Sequence, residues 1–256
     1  MIPLEIKWED KAINFKTFEK ELSNVHPQTD LVILPETFST GFPSGEDKEH
    51  VRILSEKNSG KTIGMLRNLS KKYNVAITGS FIADTGGLLS NRAFFLEPSG
   101  DEYFSDKRHL FSMAGEDKLF SPGDYRMTVR YRGWNIAVII CYDLRFPIWC
   151  RNVRNGYDLL IAVANWPASR IDAWHKLLYA RAIENQSYVC GVNCKGSDKK
   201  GFNYNGCATA IDYKGKDITV SINDSDIRYA TLRQDDLNAF RDKFPAWRDA
   251  DNFNLL

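Results

Sequence analysis

The sequence predicts an α/β fold, and three observations point to it. Short β-type runs alternate with stretches of helical spacing, several runs are apolar at every position, and glycine-bearing turns join some of them directly. In order, the strand candidates are 31–34, 75–79, 93–96, 134–140, 159–164, 188–192 and 207–211. LVIL and IAVII have no polar face, the pattern of a sheet covered on both sides. Between them, 61–73 sets Ile63, Leu66, Leu69 and Tyr73 at helical spacing. The stretch 172–187 does the same with Trp174, Leu177, Leu178 and Ile183, and Asp172 is placed as its N-cap. The turns EPSGD (97–101), YRGW (131–134) and DYKGK (212–216) each put Gly between strand candidates, more hairpins than a purely doubly wound sheet would carry. The last stretch, 234–256, loses strand character and mixes aromatics with charge. It is read as a C-terminal tail that packs on the body or on a partner subunit, or extends over the surface. No linker, repeat or low-complexity tract divides the chain, so 1–256 is expected to form a single domain.

Composition narrows the function. The chain is 43% hydrophobic and 26% charged with a net charge of +1, which gives no reason to expect nucleic acid or another polyanionic partner. MIPLEIKWED has no apolar core of signal-peptide type, and no run approaches bilayer length, so no membrane association and a cytoplasmic location are expected. Five cysteines make an odd count with no C-x-x-C pair, which predicts free thiols. Cys150, Cys190, Cys194 and Cys207 lie in or beside apolar segments and read as small packing residues. Cys141 differs: it ends an apolar run abruptly and is followed by Asp143, Arg145 and Pro147.

Two further strand-like runs end in a reactive residue. LVIL passes through Pro35 into Glu36, and YFSD passes into Lys107. Ligand crevices in α/β sheets form beyond the carboxyl ends of strands, so a carboxylate, an ammonium and a thiol are expected around one cavity, with Asn165-Trp166-Pro167 as a wall. Taken singly, each has an ordinary reading as loop carboxylate, solvated cation or core thiol. Together they fill three roles: a thiol needs a base to become a nucleophile, and attack on an amide creates an oxyanion that needs opposite charge nearby.

PETFSTGF at 35–42, DKRHLF at 106–111 and CYDLRFP at 141–147 resemble the Glu–Lys–Cys signature of the nitrilase superfamily, the carbon–nitrogen hydrolases. ANWPASR at 164–170 and ARAIENQSYVCGVN at 180–193 are similar to its omega-amidase-like branch, and the resemblance runs in order from about Trp8 into the tail. It implies a four-layer αββα sandwich that pairs as a homodimer and hydrolyses a small amide, such as 2-oxoglutaramate or 2-oxosuccinamate, with no metal or organic cofactor. By the same resemblance, Glu36 is the general base, Cys141 the nucleophile that carries a thioester, and Lys107 the oxyanion partner. The backbone N–H of Tyr142 is a second oxyanion donor, and Glu116 matches the second glutamate of many members, with Asp117 as its competitor. Arg145 is the candidate for holding a substrate carboxylate through two parallel hydrogen bonds, against an ion pair with Asp143. Phe38, Phe42, Phe111 and Trp166 line a pocket on one reading and belong to the core on the other.

Other motifs carry less. SGKT at 59–62 lacks the upstream glycine of a phosphate-binding loop, whose position holds Ser55. His26, His50, His109 and His175 form no metal-binding pattern, and the Asn-x-Ser patterns at Asn68, Asn185 and Asn223 matter only on secretion. Glu184 is expected as a buried carboxylate paired with an arginine. Within enzymes, a Cys–His hydrolase using His109 or His175 is the runner-up mechanism, and nitrile or N-carbamoyl substrates are the runner-up chemistry. A catalytically silent binding module is the alternative outside enzymes.

Overall fold

The computed structural model describes residues 1–43, 47–222 and 225–253; Asn223 of the third Asn-x-Ser pattern and the last three residues of the tail lie outside them. The chain runs α1 (Lys11–Ser23), β1 (Leu31–Ile33), α2 (Lys48–Leu54), α3 (Lys61–Tyr73), β2 (Ala76–Thr85), β3 (Leu88–Leu96), β4 (Glu102–Asp106) and α4 (Glu116–Leu119). It continues through β5 (Thr128–Tyr131), β6 (Trp134–Ile140), a 3-10 turn (Cys141–Arg145), α5 (Pro147–Cys150), β7 (Leu159–Ala164), α6 (Ile171–Asn185) and β8 (Tyr188–Asn193). The hairpin β9 (Lys195–Ser197) and β10 (Asn203–Asn205), then β11 (Ala208–Ile211) and α7 (Gln234–Lys243) follow.

Two sheets carry the architecture, ordered β1-β2-β3-β4 and β11-β8-β7-β6-β5. Their facing sides make one core, with Ile33, Ala76, Ala93 and Phe95 packed among Val138, Ile140, Ile161, Val163 and Val192. On the outer side of the first sheet, Phe15, Phe18 and Leu22 of α1 and Ile63, Leu66 and Leu69 of α3 cover Val32, Ile77 and Phe94. On the outer side of the second, Trp174, Leu178 and Ala182 of α6 cover Ala137, Ile139, Leu160, Ala162 and Val189. The result is the expected four-layer αββα sandwich. It explains the apolar runs: alternate residues of β6 enter different cores, so neither face needs polar side chains. Gly191 of β8 lets α6 close on the sheet, since a Cβ there would fall 2.4 Å from Leu178 Cδ1.

Several expectations are corrected. β2 and β3 are longer than their apolar runs, because pairing continues through buried Thr78, Ser80, Ser90 and Asn91 to the Gly86-Gly87 turn, where both glycines have positive φ. Asp172 is not the cap of α6: the helix starts at Ile171, and Asp172 lies exposed in its first turn, where its charge faces the positive helix end. The tail forms α7, which buries Leu237 and Arg241 on the body; Arg241 donates to Asp158 Oδ1 at 2.7 Å and to the Gln186 carbonyl at 2.9 Å. Helix α1 was absent from the expected elements although its signal is present: Asp10 caps it by accepting from the Ile13 N–H at 2.9 Å, and three apolar residues share one face. No helix among the described residues is long and apolar enough to cross a membrane.

Topology brings four strand ends together. β1 is parallel to β2, and β4 runs the same way through two antiparallel steps, so Glu36 and Lys107 follow the same end of the first sheet. β6 and β7 are parallel neighbours, so Cys141 and Asn165 follow the same end of the second.

Candidate active site

Cys141 is placed by a sharp bend. Its φ of 46° lies in the left-handed region, which is costly for a residue with a Cβ and persists only where the surroundings hold it. Asp143 does part of the holding: its Oδ2 accepts the Ile140 N–H at 3.1 Å, and its Oδ1 accepts the His109 N–H at 2.8 Å. The His109 ring nitrogen Nδ1 lies 2.8 Å from the same Oδ1, and the ring stacks on Phe146 at 3.7 Å. Arg181 of α6 supports the far end of the bend, donating twice to the Leu144 carbonyl at 3.2 and 2.8 Å. Arg181 is buried and pairs with Glu184 at 2.8 Å, whereas Glu184 itself is exposed, which corrects its expected burial.

Beside Cys141 lies a buried charge cluster. Glu36, Lys107 and Glu116 are 1%, 2% and 0% exposed. Lys107 Nζ donates to Glu36 Oε1 at 3.0 Å and to both Glu116 oxygens at 2.9 Å. Asn91 Nδ2 donates to Glu36 Oε1 at 2.7 Å, and the Asn165 N–H donates to Glu36 Oε2 at 2.7 Å. Glu116 Oε2 also accepts the Phe111 N–H at 2.6 Å, which ties the loop after Lys107 to the cluster. Asp117, the competing acid, is exposed.

Electrostatics follows from burial. Burial alone would lower Lys107, but Glu116 and then Glu36 outweigh it and hold the ammonium above the ordinary lysine range. Burial pushes the Glu116 carboxyl up, Lys107 pulls it down and Glu36 pushes it up again, with a net rise. The Cys141 thiol is held well above the usual value by burial and then by Glu36, against the pull of Lys107. The free protein therefore holds the Cys141 thiol in its neutral form beside Glu36. The thiolate absorbance difference between wild type and Cys141→Ser is expected to stay flat through neutral pH and rise only above the usual cysteine value of about 8.5. A step well below that value would contradict the assignment.

These groups open onto a cavity of about 600 Å3. Its wall includes Phe42, Phe111, Tyr142, Arg145 and Trp166. Lys107 Nζ lies 5.7 Å from the Phe42 ring centre, and the Arg145 guanidinium 4.8 Å from that of Trp166. The Arg145–Asp143 ion pair is absent: Asp143 is occupied by Ile140 and His109, and Arg145 has no carboxylate partner among the described residues. Phe38 is core, packed edge-on against Phe18 and Phe94. Neither His109 nor His175 lines the cavity, which leaves a Cys–His pairing without a geometric basis. Cys150 and Cys190 are buried thiols pushed up to about 12 by desolvation, as packing residues should be.

Other contributors were not foreseen. Asn91 lies in the polar Ser90-Asn91-Arg92 segment of β3, ahead of the apolar run 93–96, and nothing in that segment singled it out. Met113, Ala114 and Arg170 line the wall, as do Asp198, Lys200, Phe202 and Tyr204 from the β9–β10 hairpin, whose turn residues SDKKG marked a loop but not its destination.

Comparison with known proteins identifies the family of the chain. The family profile described as Carbon-nitrogen hydrolase matches residues 1–242. The chain is 40% identical over 254 residues to Omega-amidase YafV of Escherichia coli (strain K12), covering 97% of this chain and 94% of that protein. It is 28% identical over 253 residues to 2-oxoglutaramate amidase of Bacillus subtilis (strain 168), covering 97% and 95%. Its fold matches the crystal structure of XC1258 from Xanthomonas campestris, described as a CN-hydrolase superfamily protein with an arsenic adduct in the active site, at a TM-score of 0.92 and 36% identity, covering 100% and 97% of the two chains. With the family profile spanning nearly its whole length and a relative at this identity, the chain belongs to the carbon–nitrogen hydrolase family.

Proposed function

We propose that the protein hydrolyses a small omega-amide, such as 2-oxoglutaramate or 2-oxosuccinamate, to its carboxylic acid and ammonia through a thioester on Cys141. The observation that carries this reading is the buried Glu36–Lys107–Glu116 cluster beside a neutral, strained Cys141. The names of the relatives, an omega-amidase and a 2-oxoglutaramate amidase, support the substrate class.

In the proposed cycle Cys141 Sγ attacks the amide carbon as its proton passes to Glu36. Lys107 and the Tyr142 N–H face the oxygen that becomes anionic, and fixed donors there lower the barrier because they need no reorganisation. Glu116, with both oxygens on Lys107, keeps the ammonium aimed. Glu36 returns the proton to nitrogen, the C–N bond breaks and ammonia departs. Water then adds to the thioester with Glu36 as base, and the acid leaves as Cys141 recovers its proton.

Arg145 would hold the carboxylate at the other end of the substrate. Its guanidinium lies over the Trp166 face with no carboxylate partner among the described residues, and a bidentate pair would satisfy it. Arg145→Ala is expected to raise KM for a carboxylate-bearing omega-amide by roughly 10- to 100-fold, with little change for a neutral amide of the same length. Ammonia release across omega-amides, nitriles and N-carbamoyl acids measures this. Equal effects on charged and neutral amides would remove Arg145 from recognition, and release only from nitriles or N-carbamoyl acids would replace the omega-amide reading.

A further inference from the structure

The segment before α1 supports the cavity from outside. Trp8 is half-buried and is not among the residues that line the cavity, yet it holds two that are. Its indole N–H donates to the Phe42 carbonyl at 3.1 Å, and its ring stacks on Tyr204 with centres 5.3 Å apart and planes 22° from parallel. Phe42 belongs to the loop that carries Glu36 and Tyr204 to the β9–β10 hairpin, so one side chain joins walls from distant parts of the sequence. The contact is close: a Cβ on Gly41 would fall 2.5 Å from Trp8 Cε2, so the loop lies on the indole only with glycine there.

The neighbours of Trp8 repeat the pattern on both sides. Toward the Glu36 loop, the Glu9 N–H donates to the Thr40 carbonyl at 2.7 Å, and the buried Asn14 Nδ2 donates to the Ser39 carbonyl at 2.8 Å. Glu9 does this at a φ of 60°, a costly conformation for a residue with a Cβ that persists only where the surroundings hold it. Toward the hairpin, the Ile6 N–H donates to the Lys195 carbonyl at 3.0 Å and the Lys195 N–H to the Leu4 carbonyl at 2.9 Å. The Glu9 carboxylate pairs with Lys199, which stands between Asp198 and Lys200 of the cavity wall. The Tyr204 hydroxyl donates to Asp198 Oδ2 at 3.0 Å, so the ring that rests on Trp8 also fixes the turn of the hairpin. Residues 4–14 are thus a common frame for two walls. Glu36 and Lys107 draw their own hydrogen bonds from Asn91, Asn165 and Glu116, outside this frame.

In the amidase reading the scissile carboxamide sits at Cys141, Glu36 and Lys107, and a cavity of about 600 Å3 leaves the Phe42 and Tyr204 walls to the rest of the acid. We propose that Trp8 is a positioning residue: it fixes the spacing of these two walls and so fits the cavity to the acyl chain, without touching the reacting atoms. The inference rests on the amidase reading and assigns the fit of the acyl chain to a residue outside the cavity. Loss of such a buttress weakens the binding of substrate and transition state alike, which raises KM and leaves kcat in place.

The test measures kcat and KM for an omega-amide beside the rate at which iodoacetamide alkylates Cys141, mapped by peptide mass. Alkylation by this two-carbon probe depends on the thiol and its surroundings and asks nothing of the acyl-chain walls. Trp8→Phe keeps a ring for Tyr204 and loses the N–H on Phe42; KM is expected to rise roughly 3- to 10-fold. Trp8→Leu loses both contacts, and KM is expected to rise roughly 10- to 100-fold. In both variants kcat and the alkylation rate are expected to stay within about twofold of wild type, and the phenylalanine variant carries the test if the leucine variant does not fold. KM within about twofold of wild type in the folded variants would overturn the proposal. So would kcat and alkylation falling together, since Trp8 would then act on the reacting groups rather than on the fit of the chain. Wild-type protein that releases no ammonia from any amide would overturn the amidase reading and this proposal together. A working amidase with an unmoved KM overturns this proposal alone.

Discussion

Cys141→Ala is expected to lower omega-amide turnover by about 10^4-fold or more while the thermal midpoint stays within a few degrees of wild type. The split follows from where the residue stands. Alanine retains the Cβ, so the positive φ of 46° costs the same in both proteins, and the bend is held by Asp143 and Arg181 rather than by the sulfur. Chemistry, by contrast, would lose the proposed nucleophile, and Glu36 and Lys107 would have no acyl acceptor to assist. Ammonia release by purified variant, measured beside a thermal melt, checks both halves. Substantial residual turnover, or loss of the fold with the sulfur, would contradict the assignment.

Lys107→Met is expected to damage both activity and stability. Turnover should fall at least about 10^2- to 10^3-fold for loss of the proposed oxyanion partner. Stability should fall by about 3–5 kcal/mol at neutral pH, because Glu36 and Glu116 would share a buried site with no cation. Such a loss corresponds to roughly 10 °C in a chain of this size. The sign of its pH dependence is fixed. Burial and mutual repulsion raise a carboxyl in the folded variant above its unfolded value of about 4.3, so the folded state binds more protons across that window. Stability is then present at low pH and lost as pH rises toward the elevated folded value. Melts of wild type and variant should accordingly diverge as pH is raised. A gap independent of pH would mean that the carboxylates find other partners, and pairing the change with Glu116→Gln should restore part of the loss.

The αββα layering was readable because each central strand serves two cores, and that demand writes apolar residues at consecutive positions in LVIL and IAVII. The ends of those strands are equally visible, since Glu36 and Cys141 interrupt apolar runs abruptly, while Lys107 follows the mixed strand-like run YFSD. What could not be read depends on the path of the backbone. Phe38 and Phe42 stand four residues apart in one loop, yet one is core and the other cavity wall. The difference arises from positive φ at Thr37 and Gly41, and a threonine gives no warning of that conformation. Arg145 and Asp143 are near in sequence, but the acid is consumed by the Ile140 and His109 N–H groups. The β9–β10 hairpin reaches the cavity only through tertiary packing, as with Tyr204 stacked on Trp8 at 5.3 Å. Glu184 shows the limit of helical spacing, which predicted a pairing with some arginine but assigned the burial to the wrong partner of the Arg181–Glu184 pair.

The most direct test is rapid acid quench of wild-type protein turning over an omega-amide, followed by intact-mass and peptide-level analysis alongside ammonia release. The account predicts one acyl group per chain, mapped to Cys141 and formed together with the first equivalent of ammonia. Steady ammonia release with no adduct at any quench time, together with unchanged turnover in Cys141→Ala, would contradict it.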